Sequence, residues 1–226
     1  RSHNIKRTEY VIKDISKDDC SDNFAGVDYV FHLAARSRIQ PTIGSPNECF
    51  EVNVIGTQRV LEWSRMHSVK KVIYSGTSSL YGHQNSIPFA PNMPTDCLNP
   101  YSVSKVSGEK LCKMYSDLFG LETVVFRYFN VYGSGEEDKG NQASPVSKFT
   151  KDVRETGELN LFAGSNKFLR DFVCVDDVVD IVLNNNAGSG IYDLGTGSPV
   201  SFQHVADLVI KKEGGKINTI PFPDHL

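Results

Sequence analysis

Two residues four apart, Tyr101 and Lys105 in Pro100-Tyr-Ser-Val-Ser-Lys105, are of types that move protons together. At the start of a helix an i, i+4 spacing puts both side chains on one face. An ammonium beside a phenol stabilises the phenolate, so the pair offers an acid or base working closer to neutral pH than a free phenol, whose pKa is about 10. The same spacing also fits a partly exposed helix whose Tyr and Lys share no task. A third candidate lies upstream in Tyr74-Ser-Gly-Thr-Ser-Ser-Leu-Tyr-Gly82. That run follows a strand directly, which places its hydroxyls at the carboxyl edge of a sheet, where open α/β sheets bind ligands. Thr77 can there bond the same reacting oxygen as Tyr101, or the run can be a Ser/Thr-rich turn capping its own backbone.

The elements that must position these groups follow from pattern. Val27 to Ala35, Val69 to Ser75 and Leu121 to Arg127 read as strands, and Val52, Ile55, Val60, Leu61 and Trp63 recur at helical spacing between the first two. Asn99 as N-cap and Pro100 at the first helical position open a helix whose apolar face, Leu111, Met114, Tyr115 and Leu118, runs to Gly120. Further on come a glycine-rich stretch from Gly133 to Gly140 and a helix from about Ser144 to Arg154. A strand pair around Leu159–Ala163 and Phe172–Val175 follows, then helices near Asp177–Leu183 and Phe202–Lys212. Alternating strands and helices predict an α/β, doubly wound parallel sheet.

The balance of residues removes other classes. With 226 residues and 39% hydrophobic against 23% charged, the chain can bury a core and lacks the signature of disorder. The 24 basic residues against 27 acidic ones make no field that attracts nucleic acid or anionic lipid. The longest apolar stretch, Val27 to Ala35, falls well short of the roughly 20 residues of a membrane helix. Five scattered cysteines, an odd number with no CxxC, fit neither a disulfide framework nor a zinc site, and Arg1 to Lys6 has no apolar run behind it. A cytoplasmic location is the expectation. His32 reads as a packed strand residue rather than a ligand, and Asn184-Asn-Asn186 as a helix-ending loop.

In order along the chain, His32-Leu-Ala-Ala35, Asn53-Val-Ile-Gly-Thr57, Tyr74 to Gly82, Tyr101 to Lys105, Arg127-Tyr-Phe-Asn-Val-Tyr-Gly133, Arg170-Asp-Phe-Val-Cys-Val-Asp-Asp177 and Tyr192-Asp-Leu-Gly-Thr-Gly197 stand together. This set resembles the extended short-chain dehydrogenase/reductases that act on nucleotide sugars. The resemblance implies a Rossmann-like sheet across residues 1–130 and a mainly substrate-binding portion over 131–226, with segments returning to the sheet. It implies NAD or NADP as cofactor, with Asp14 and Ile15 near the adenine and Leu33, Ala34 and Ala35 along the pyrophosphate. Asn53, Ser75 and Tyr128 are implied close by, and Tyr101 and Lys105 at the nicotinamide ribose. Lys105 is implied to hold ribose hydroxyls and lower the Tyr101 pKa. Asn130 and Arg170 are implied to hold the nucleotide-diphosphate sugar. On residue type alone Arg170 equally suits a salt bridge to Asp171 or Asp176, and Asn130 a turn at a strand end. The helices that include Tyr101 to Leu118 are implied to pair copies of the chain. The family begins with a strand and a GxxGxxG loop, which has no counterpart here; Glu9 to Asp14 reads as the first strand, and poor retention of NAD by these residues alone is the expectation.

Relatives that dehydrate or decarboxylate place an acid after the catalytic Thr, whereas Ser78 and Ser79 follow Thr77. Epimerisation by transient oxidation and re-reduction is therefore expected. Tyr128 to Ser144, Leu161 to Val173 and Ile220 to Asp224 most resemble ADP-glycero-manno-heptose 6-epimerases, in which a lysine at the position of Lys139 is a second acid/base. Beside Glu136, Glu137 and Asp138 it also suits a charged surface turn. Ala35 to Asn47 looks more like UDP-hexose 4-epimerases, which need only Tyr101. A non-catalytic sugar-nucleotide-binding remnant is the third reading.

Overall fold

The computed structural model describes residues 8–83 and 87–222. Its strands are β1 (Tyr29–His32), β2 (Lys71–Thr77), β3 (Glu122–Tyr128), β4 (Asn130–Tyr132), β5 (Glu158–Phe162), β6 (Leu169–Arg170), β7 (Phe172–Cys174), β8 (Gly190–Leu194), β9 (Val200–Ser201) and β10 (Lys216–Ile220). Its α-helices are α1 (Ile39–Gly44), α2 (Pro46–Phe50), α3 (Gly56–Met66), α4 (Pro100–Phe119), α5 (Pro145–Thr156), α6 (Val175–Asn184) and α7 (Phe202–Glu213). They fall into two units, residues 1–128 with 185–193, and 129–184 with 194–226.

In the first unit the sheet order is β1-β2-β3-β8, and both the β1/β2 and the β2/β3 pairs are parallel. Central strands of a parallel sheet are covered on both faces, and Val72, Ile73 and Tyr74 of β2 and Val124, Val125 and Phe126 of β3 are accordingly all buried. Leu61 of α3 and Cys112 and Tyr115 of α4 pack onto Val72, Tyr74 and Val125. The register pairs Ser75 with Phe126 and Thr77 with Tyr128, so β2 and β3 end together and their last hydroxyl-bearing residues share one edge. Helix α4 is built as its ends dictate. Asn99 accepts from the Ser102 N–H at 2.9 Å, Pro100 fills the first turn, and Gly120 closes the helix at φ +69°, a left-handed conformation that suits glycine. The crossover helix is interrupted by one π-helical turn, Glu51–Ile55, with Asn53 inside it.

In the second unit β5 pairs in parallel with β10, and Leu159 and Leu161 point into a core with Val153 of α5 and Ala206 and Val209 of α7. The strands predicted around Leu159–Ala163 and Phe172–Val175 form but do not pair with each other: β7 pairs in parallel with β4. The partner of β5 lies more than 50 residues downstream, beyond the reach of any local signal. A second correction concerns Glu9 to Asp14. No strand forms over its described residues, and Ile12 stands wholly exposed. The Arg1–Lys6 start and the end of the Ile220–Asp224 match lie outside the described residues. Among those described, no helix is long and apolar enough to cross a membrane.

Candidate active site

Thr77 is the last residue of β2 and Tyr101 the second of α4, which brings a strand end and a helix start together. The Thr77 hydroxyl caps the turn that follows, accepting from the Ser79 N–H at 3.2 Å and donating to the Ser79 hydroxyl at 3.1 Å. It also lies near enough to the Tyr101 phenol to favour its ionised form. Burial raises the pKa of that phenol, while Thr77 and the positive charge of Arg38 pull it down. Turn-capping and contact with Tyr101 are thus two jobs of one hydroxyl.

Lys105 is 3% exposed, and its ammonium lies 4.2 Å from the centre of the Tyr74 ring. Burial lowers its pKa to about 8, against the pull of Cys112, Glu109 and Cys49. The Lys105 side chain runs inward to Tyr74, while Thr77 and Arg38 favour the ionised phenol. Asn53 is 1% exposed, and its amide is spent inside the protein. Its Oδ1 accepts from the Arg36 N–H at 2.7 Å, and its Nδ2 donates to the Arg36 carbonyl at 3.0 Å and to the Ser104 hydroxyl at 2.9 Å. Ser104 in turn donates to the Tyr101 carbonyl at 2.8 Å. Asn53 therefore ties the loop after β1 to the first turn of α4 rather than presenting an amide to a ligand.

Beneath this network lies His32, buried, with Nε2 2.8 Å from the Thr57 hydroxyl. Thr57 donates to the Asn53 carbonyl, which leaves the histidine as donor to Thr57. Burial, with the Lys105 charge assisting, drops the His32 pKa to about 3 from 6.5. Between those values the unfolded chain holds a proton that the folded chain lacks, so stability is complete above pH 6.5 and falls as pH drops through that window. The expected loss from His32 between pH 6.5 and 5 is about 2 kcal/mol. Chemical unfolding of His32→Gln at pH 7 and pH 5 should show a gap smaller than wild type by that amount; an unchanged gap would refute the assignment.

Of the other residues named from sequence, Leu33 and Ala34 are exposed and Ala35 half-buried just past β1. The Ser75 hydroxyl donates to the Tyr128 hydroxyl at 3.4 Å across the ends of β2 and β3. The Asp14 carboxylate accepts from the N–H and hydroxyl of Ser16, and these two bonds lower its pKa. Ile15 lies against Gly56, where a Cβ would come within 2.9 Å of Ile15 Cδ1.

Sequence reasoning assigned no role to a buried group at the same edge. Arg127 of β3 donates to both carboxylate oxygens of Glu109 on α4, at 3.0 and 2.8 Å. It also donates to the Tyr81 hydroxyl at 2.9 Å and the Pro91 carbonyl at 3.1 Å, and Tyr81 donates to Asp193 at 2.6 Å. Gly76 makes room for this, since a Cβ there would meet the Phe126 carbonyl at 3.0 Å and Glu109 at 3.2 Å. The only available signal was Arg127 at the head of the Arg127–Gly133 match.

Asn130, Lys139 and Arg170 belong to the second unit. Asn130 opens β4, and its Nδ2 and backbone N–H both donate to the Asp171 carbonyl, at 3.1 and 2.9 Å. The Asp171 carboxylate accepts from the Thr196 N–H and hydroxyl and from the Gly197 N–H. Arg170 is exposed, donates to the Leu169 carbonyl at 2.7 Å and lies 6.0 Å from the Phe202 ring centre. Lys139 sits in the 3-10 turn Glu137–Gln142 with its side chain 54% exposed and its ammonium 3.7 Å from Glu136. The Glu136 carboxylate, buried, accepts from the Ser144 N–H at 2.9 Å and hydroxyl at 2.6 Å. Burial pushes its pKa up, but these bonds and the Lys139 charge hold it below its usual value. Among the described residues no cluster of His, Cys, Asp and Glu is arranged to hold a metal.

A half-buried phenol, a threonine hydroxyl near it and an ammonium one helical turn along are groups of the types that move a proton at an alcohol carbon. Comparison with known proteins agrees in direction. Residues 1–195 match the NAD dependent epimerase/dehydratase family. The chain is 33% identical over 207 residues to a protein of Methanocaldococcus jannaschii named "Putative UDP-glucose 4-epimerase", covering 90% of this chain and 67% of that one. It is also 33% identical, over 229 residues, to the ADP-L-glycero-D-manno-heptose-6-epimerase of Alkalilimnicola ehrlichii, covering 96% of this chain and 70% of that one. The UDP-glucose 4-epimerase of Thermotoga maritima, solved with UDP-glucose, superposes with a TM-score of 0.83 at 27% identity, over 93% of this chain and 70% of that one. The chain thus spans about two thirds of the length of the curated relatives it matches.

Proposed function

The chain belongs to the NAD dependent epimerase/dehydratase family, and on that premise we propose that it serves as a nucleotide-sugar epimerase of the ADP-glycero-manno-heptose 6-epimerase type. The observation that carries the reading is the nearness of the buried Thr77 hydroxyl and the half-buried Tyr101 phenol at the end of β2 and the start of α4, with Ser78 and Ser79 next in the sequence. Neither serine is an acid or base near neutral pH, so the second proton of a dehydration or decarboxylation has no carboxylate there to move it.

The groups left at this edge fit a nicotinamide dinucleotide. Leu33 and Ala34 are exposed and Ala35 half-buried, the Ser75 and Tyr128 hydroxyls offer donors and acceptors for a ribose, and Asp14, its pKa lowered by Ser16, is an acceptor for an adenine amino group. Lys105 is the cation for the ribose hydroxyls. The dinucleotide, when bound, supplies the reversible hydride acceptor. Tyr101 Oη takes the proton from the sugar hydroxyl and gives it back, while Thr77 holds the same oxygen. Lys139 Nζ, kept near Glu136, is the candidate second acid/base by its resemblance to the heptose epimerases. Arg170 matches the diphosphate by its planar fork, and Asn130, its amide fixed on Asp171, keeps Oδ1 for the sugar.

The equal identity of the two relatives makes UDP-hexose 4-epimerisation the competing reading. Purified full-length protein assayed with ADP-glycero-manno-heptose and with UDP-glucose separates them. Turnover of the heptose, with Lys139→Ala slower by at least about 100-fold, supports the proposal. Turnover of UDP-glucose alone, with Lys139→Ala fully active, replaces it by the one-base 4-epimerase. Absence of both activities and of bound dinucleotide leaves a sugar-nucleotide-binding remnant.

A further inference from the structure

The ammonium of Lys105 is almost wholly buried, yet among the described residues no carboxylate is paired with it: Glu109, the nearest acid on α4, is taken by both arms of Arg127. What faces the charge is the Tyr74 ring, with its centre 4.2 Å from Nζ. That ring is fixed from several sides. Tyr74 is 1% exposed, and its hydroxyl donates to the Lys105 carbonyl at 3.3 Å. It also abuts Gly108, where a Cβ would sit 2.2 Å from the Tyr74 oxygen. A glycine in mid-helix costs stability, and here it admits the rim of one ring. His32 leans on the same ring at 5.6 Å between centres.

From this geometry we infer that Tyr74 is a positioning residue whose aromatic face seats the Lys105 ammonium, keeping it charged and aligned for the cofactor ribose. The inference rests on the proposed role of Lys105 in the site. A ring face attracts a cation through its quadrupole, most strongly where water is excluded. The charged form is thereby supported without a counter-ion, which would pin Lys105 away from a ligand. The other groups around Lys105 are neutral or already engaged. Burial raises Cys112 to about 12 and lifts Tyr101, and it drops His32 to about 3; Cys49 is a thiol hydrogen-bonded to Ser104. With Lys105 near 8, activity that needs the ammonium is lost as pH rises through that value.

The test uses the full-length enzyme with its dinucleotide and compares wild type, Tyr74→Phe, Tyr74→Leu and Lys105→Met in kcat and KM from pH 6 to 9.5. Tyr74→Phe keeps the ring and should stay within about threefold of wild-type kcat with the same alkaline limb. Tyr74→Leu removes the π face; kcat should fall about tenfold or more, sugar-nucleotide KM should change by less than about twofold, and the alkaline limb should move down by about one pH unit. Should Tyr74→Leu fail to fold, fluorinated phenylalanines at position 74 retain the shape while draining the face of electron density, and the limb should step downward with each added fluorine. A limb indifferent to fluorination, or Tyr74→Phe as impaired as Tyr74→Leu, overturns the seat. Normal turnover by Lys105→Met overturns the underlying role of Lys105 and the seat with it, whereas an inactive Lys105→Met beside an unaltered Tyr74→Leu profile overturns the seat alone.

Discussion

Tyr101→Phe is expected to lower kcat by about 100- to 10,000-fold, the range over which a positioned general acid or base contributes. The substitution removes one oxygen from a half-buried ring, so the packing around it persists. What disappears is the proton carrier and the partner of Thr77. Burial raises the phenol pKa while Thr77 and Arg38 oppose it, and it is this opposition that favours the phenolate form needed to accept the sugar proton. The sugar and its diphosphate are held elsewhere in the proposed reading, so KM should move little and the loss should appear in kcat. Thr77→Val should cost less, since it leaves the phenol in place. Steady-state kinetics on folded Tyr101→Phe decide the matter, and a rate within threefold of wild type ends the acid/base role of the residue.

The parts of the site legible in the sequence are those that local rules control. Asn99, Pro100 and Gly120 mark the ends of α4, and the four-residue spacing then assigns Tyr101 and Lys105 to one helix. Thr77 follows because a hydroxyl run directly after a buried strand must lie at the strand's end. Direction inside the helix was not legible. Lys105 turns inward because a ring and a glycine, 31 and 3 residues away, leave it a pocket there, and no spacing rule reports that. Asn53 was expected beside the cofactor, but its π-turn and its bonds to Arg36 and Ser104 depend on how the chain passes from α2 to α3. The β5/β10 pairing was hidden for the same reason, since α6, α7 and four strands lie between its partners in the sequence.

The Arg127–Glu109 pair shows where such long-range terms carry the greatest weight for stability. Glu109→Leu is expected to destabilise the fold by about 3–5 kcal/mol, because it leaves a guanidinium in the interior without its carboxylate. The cost of stranding one charge exceeds the worth of the pair. Replacing both ends, as in Glu109→Leu with Arg127→Met, should therefore recover most of the loss, even though two more hydrogen bonds disappear. Recovery should be incomplete: Arg127 also donates to the Tyr81 hydroxyl and the Pro91 carbonyl, and these lose a donor in the double variant. Urea unfolding of the two variants beside wild type gives both figures. If Glu109→Leu costs less than about 1 kcal/mol, the bidentate contact is not holding α4 to the end of β3. If the double variant is as unstable as the single one, the loss lies in packing around Gly76, which the Glu109 side chain adjoins, rather than in the stranded charge.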